Sequence, residues 1–117
     1  MITLRETKTK IMANRDNWQV YLMDFVDDFR YYKNLSAISE PFGLSDEKVD
    51  AMLASTASTL CVELKIPIPQ WIENIPAVSS PWFVSGLENL KAISLVESPL
   101  YFRRRKIFVL ENFLQRV

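Results

Sequence analysis

The chain contains no histidine, which removes both the usual neutral-pH general base and the commonest transition-metal ligand. Most hydrolase and zinc chemistries are set aside on that ground. It has one cysteine, Cys61, so no internal disulfide can form. Small secreted domains carry paired cysteines, and a reducing, cytoplasmic setting is therefore expected. Cys61 has no imidazole to activate it and reads as a small buried hydrophobe. Net charge of either sign is also absent, with Lys plus Arg at 14 and Asp plus Glu at 14. No global field draws the chain to nucleic acid or a membrane, and any basic site must be local. Nowhere do ~18 uncharged apolar residues follow one another, and residues 1–10 lack the apolar run of a signal peptide. Neither secretion nor a membrane span is expected.

What is present is a core. The 49% hydrophobic and 12% aromatic content is too rich for disorder, and 117 residues suffice for one domain without staples. A single helical domain over 1–117 is the expectation. Residues 1–13, where Leu4, Ile11 and Met12 are thinly spread, read as a short helix or a flexible arm.

From Asn14, taken as an N-cap with Asp16 in the first turn, the spacing predicts a helix over about 15–34. Its stripe is Trp18, Tyr21, Leu22, Phe25, Phe29 and Tyr32, with Asp24, Asp27 and Asp28 turned mostly away. Pro41 and Gly43 mark a connection. Ser45 reads as the next N-cap, Asp46 and Glu47 as an acidic first turn, and Leu44 with Val49 as a hydrophobic staple. The second helix is placed at about 46–65, burying Val49, Met52, Leu53, Ala57, Leu60, Cys61 and Leu64, and ending before Pro67.

A Pro-rich irregular segment at 66–84 follows. It holds a short helix from Pro69 to Asn74, with Trp71 and Ile72 turned inward, and the pair Trp82–Phe83 pinned to the core. Ser85 and Glu88 have capping-box spacing ahead of a third helix at about 86–97, burying Leu87, Leu90, Ile93 and Val96. Ser98–Pro99 repeats a start signal, so a fourth helix runs from Pro99 towards Arg105. Residues 107–116 read as helical too, presenting Leu110, Phe113, Leu114 and Val117, either continuous with the fourth helix or separate. The only β-rich runs, 66–68 and 107–110, are short. The fold class expected is all-α, a compact bundle of about four to five helices.

The residues that attract a functional reading are Trp71, Trp82, Phe83, Arg103, Arg104, Arg105 and Lys106. Successive helical residues point ~100° apart, so four consecutive cations fan around a helix and cannot form one patch. Some of the run must face its own protein, and at least one of Arg103 and Arg105 is expected to bond internally, to Glu97, Glu88 or a backbone carbonyl. The three rings either seal the core or line a groove for a peptide. Asp24 and Asp28 have the spacing of paired carboxylates but no histidine or glycine loop beside them to complete a metal site. No catalytic, cofactor-binding or metal-binding residue is assigned.

Residues 60–71, then Pro81–Trp82–Phe83, Leu90–Lys91–Ala92, Glu97–Ser98–Pro99 and 102–109 together resemble a group of small uncharacterised bacterial proteins. In that group Asn typically stands where this chain has Lys106. The resemblance covers about residues 45–117 and implies an antitoxin-like partner of a nucleotidyltransferase-like protein encoded next to it. It supplies no catalytic residue. The function expected is a non-enzymatic protein-binding domain without cofactor, its partner the product of an adjacent gene or a second copy in a homodimer. The alternative is a DNA-binding transcriptional regulator using residues 46–74 as a helix-turn-helix with the basic run 103–106. In it the short helix from Pro69 has no Arg or Lys for phosphate.

Overall fold

Helix α3, Glu47–Leu64, forms the axis of the molecule. Asp46 caps it, its carboxylate accepting from the Val49 amide at 3.0 Å, and Glu47 and Asp50 place acid in the first turn where the helix dipole favours it. Every residue from 51 to 58 is buried, so this stretch is enclosed around its whole circumference and not along one stripe. Apart from Met52 and Leu53 it consists of Ala, Ser and Thr, and small side chains let several elements approach closely. The computed structural model describes residues 1–115, and of Asn89 only the backbone.

Around α3 pack α1 (Leu4–Ala13), α2 (Trp18–Tyr32), α4 (Gln70–Glu73) and α6 (Leu100–Arg104). A further helix, α5 (Lys91–Glu97), lies against the C-terminal part of the chain. About 60% of the chain is helical, and its radius of gyration of 13.3 Å matches the ~13 Å of a compact domain this long. No helix among the described residues is long and apolar enough to cross a membrane.

The helical expectation holds at this coarse level, but the described residues contain six α-helices and a small parallel ladder rather than helices alone. Strand β1 (Trp82–Phe83) pairs with β2 (Ile107–Phe108), Trp82 beside Ile107 and Phe83 beside Phe108. Residues 107–110 are thus not helical. Lys106 takes the left-handed conformation (φ 63°), which stops α6, and the chain leaves extended with the Trp82 amide donating to Lys106 O at 2.9 Å. Ser98, expected as a helix cap, is buried and holds the far end of the ladder. Its Oγ accepts from the Val109 amide at 2.8 Å. Of the stripe assigned to 107–116, Leu114 is buried and Phe113 half-buried in turns, while Arg116 and Val117 lie outside the described residues.

Three start signals also land elsewhere. Asn14 ends α1 instead of beginning α2, which follows a 3-10 turn over Arg15–Asn17. Asp46 and not Ser45 caps α3, and Leu44 is exposed, so no staple forms. Ser85 reaches only the Leu87 amide, and Glu88–Leu90 make a 3-10 turn before α5. The N-terminal segment is a docked helix and no arm. Thr3 and Glu6 form a capping box, and Leu4, Thr7, Lys8 and Ile11 are buried. Lys8 reaches Asp50 on α3 at 2.6 Å, both side chains nearly enclosed. Asp50 also accepts from the Ser45 and Asp46 amides at 2.9 and 3.2 Å.

Candidate interaction site

The basic run divides where α6 ends: Arg103 and Arg104 are helical, Arg105 closes the helix and Lys106 is left-handed, so the expected fan around a continuous helix is not formed. Arg105, at the end of α6, is only 6% exposed. Its Nη2 donates to Ile72 O at 2.8 Å and its Nε to Ile75 O at 3.1 Å, fastening α6 to the turn after α4. The internal bond anticipated for Arg103 or Arg105 is therefore made by Arg105, to backbone carbonyls. Burial pulls its guanidinium below the usual arginine range, opposed by the Glu73 carboxylate, and it stays charged at neutral pH. Arg103, Arg104 and Lys106 are exposed. Arg104 lies over the Tyr101 ring, 5.2 Å from its centroid.

The tryptophans are structural on their inner edges. Trp71 is half-buried, donates through Nε1 to Ile38 O at 2.9 Å and meets Phe42 edge-on. Trp82 is half-buried with Lys48 over its ring at 5.3 Å. Phe83 stacks on Phe108 at 5.0 Å between centroids, with Lys91 above it. A cavity of about 190 Å³ separates Trp82 from Trp18, floored by Ile11, Val49 and Met52. The one-turn α4 carries Gln70 and Glu73 outward, so the segment proposed as a recognition helix offers no cation. Among the described residues no group of three or more acids or cysteines is placed to hold a metal ion. Desolvation raises the buried Cys61 thiol to about 11, so the reactive thiolate is scarce at neutral pH.

The feature that sequence reasoning missed is on α5. This helix turns its serine inward: Ser94 is buried, its Oγ donating to Leu90 O at 2.8 Å, and Ser98 is buried one turn on. Its aliphatic side chains point the other way, Ile93 at 45%, Leu95 at 48% and Val96 at 78% exposure, with Leu87 and Leu100 also exposed on either side. Leu87, Ile93 and Val96 were expected in the core. The i, i+4 pair Ser94 and Ser98 was the available signal, because two small polar side chains on one edge mark where a helix can press against backbone. Beside Ile93 a cleft of about 560 Å³ opens between α5 and Leu110, Glu111 and Asn112. Arg103 stands one turn beyond Leu100 on α6, while the cleft beside Ile93 is lined by two acids, Glu97 and Glu111.

No protein-family model, no curated protein and no solved structure matches this chain.

Proposed function

We propose that this chain is a non-enzymatic protein-binding domain and that the outward face of α5 is where it binds, as the antitoxin-type partner of a nucleotidyltransferase-like protein encoded beside it. One observation carries the reading: α5 packs on the domain through serine and leaves Ile93, Leu95 and Val96 in water, continued by Leu87 and Leu100. Grouped exposed aliphatics of this kind mark interaction surfaces. The identity of that partner comes from the resemblance of residues 45–117, and the binding mode from α5.

Co-expression with the adjacent gene product, followed by purification through a tag on one chain, tests it. The pair is expected to co-purify, and Val96→Asp is expected to abolish this while leaving the melting temperature unchanged, since Val96 touches little of its own domain. Equal co-purification of the variant would overturn the role of α5. Failure of the parent chain to bind or to relieve toxicity would overturn the partner. If α5 instead joins two copies, sedimentation will show a concentration-dependent dimer that Val96→Asp dissociates.

The exposed trio Arg103, Arg104 and Lys106 favours the second reading, DNA binding. Its signature is affinity for the chain's own promoter that falls steeply with salt, because phosphate contacts release counterions.

A further inference from the structure

Between α4, the turn at Ile75 and α6 lies a cavity of about 450 Å³, lined by Glu73, Asn74, Ile75, Tyr101, Arg104 and Arg105. Arg105 forms its buried wall. The two carbonyls it bonds are neutral acceptors that use Nε and one Nη2 hydrogen. A guanidinium has five donors, so among the described residues the end-on fork formed by Nη1 and the second Nη2 hydrogen has no acceptor. Among the described residues no carboxylate lies within ion-pair distance of Arg105. A charge more than nine-tenths buried ordinarily has a counter-ion. Here Arg104 adds a second cation at the rim, and Glu73 is the one acid among the lining residues.

We propose that this cavity is a carboxylate-binding site, with Arg105 presenting its end-on fork to both carboxylate oxygens, Arg104 adding charge at the mouth and Glu73 opposing entry. A planar carboxylate matches two parallel N–H donors, and a guanidinium already held by Ile72 and Ile75 loses little further freedom on binding it. The site lies apart from the α5 face and does not depend on that reading. The carboxylate comes either from a small free acid or from an aspartate or glutamate side chain of a bound protein.

The test is a titration of the full chain at fixed ionic strength, following the arginine Nε–Hε resonances by NMR. Three probes are used: succinate, inorganic phosphate and the capped peptide acetyl-Gly-Glu-Gly-amide. Saturable shifts of the Arg105 signal by succinate identify a small-acid site, and shifts by the capped peptide alone identify a protein side chain as the source. Glu73→Gln is expected to tighten binding and Arg104→Gln to weaken it, each roughly two- to fivefold. Arg103→Gln, outside the cavity, should change nothing. All of these positions are exposed, so folding survives. The proposal is overturned if the Arg105 signal is unmoved by both carboxylates, if phosphate binds as well as succinate, or if Arg103→Gln weakens binding as much as Arg104→Gln.

Discussion

Replacing Arg105 by lysine keeps the charge and removes the fork. In the parent, Nη2 and Nε each meet a carbonyl, at 2.8 and 3.1 Å, and hydrogen bonds from a charged donor contribute about 1.5–3 kcal/mol apiece. Ile72 O keeps a second donor, the Ile75 amide at 3.1 Å, so its loss is partial. Ile75 O has only Arg105 among the described residues. A lysine ammonium is a single point that can reach one of the two carbonyls, and burying it costs more than burying the weakly hydrated guanidinium. The expected loss is about 2–3 kcal/mol. With a urea m-value of roughly 1–3 kcal/mol/M, the unfolding midpoint should fall by about 0.7–3 M. Urea titration followed by tryptophan fluorescence reads it directly, since Trp71 sits on α4 beside the anchored turn. Arg103→Lys, on the exposed side of the same helix, should stay within ~0.5 kcal/mol of the parent. If Arg105→Lys unfolds within ~0.3 M of the parent midpoint, the carbonyl anchor contributes nothing net and the structural account of Arg105 fails.

Lys8→Met should cost about 3–5 kcal/mol by leaving Asp50 buried without its cation, and Lys8→Met with Asp50→Asn should recover part of that loss; a double-mutant cycle in urea checks it. Lys106→Asn should raise stability by up to ~1 kcal/mol, because Asn accepts the left-handed conformation (φ 63°) more readily than Lys, whereas Lys106→Val should lower it; paired thermal melts decide. The Val49 amide, and then Arg15, hold the Asp46 carboxyl below its usual 3.8. A depressed carboxyl contributes stability that is fully present above the unfolded value and lost as pH falls through the folded one. The stability gap between the parent and Asp46→Asn should therefore be flat between about pH 5 and 7 and shrink below about pH 4, as seen by urea unfolding at each pH.

Local chemistry determined much of this protein from the sequence alone. The apolar stripe of α2 is buried at Leu22, Phe25 and Phe29 as its spacing requires, with Trp18 and Tyr21 half-buried, whereas Tyr32 at its end stands exposed. The prolines bound α3 and open α4 where their rings demand it, and one arginine of the basic run lies inside as expected, although the run splits where α6 ends at Arg104 and not by fanning around a helix. The tertiary structure decided what depends on distant neighbours. Residues 107–110 carry β-branched and helical signals together, and they left the helix, Ile107–Phe108 as strand, because Trp82–Phe83 lay alongside and Ser98 held Val109. Helix α1 looks like an arm in sequence because half of its buried face is Thr7 and Lys8, polar groups that bury only when a partner such as Asp50, 42 positions away, is in place. The orientation of α5 shows the same limit. Its aliphatic residues favoured the core by transfer energy, but the buried side is taken by Ser94 and by Ser98 just beyond it, which holds Val109 at the end of the ladder.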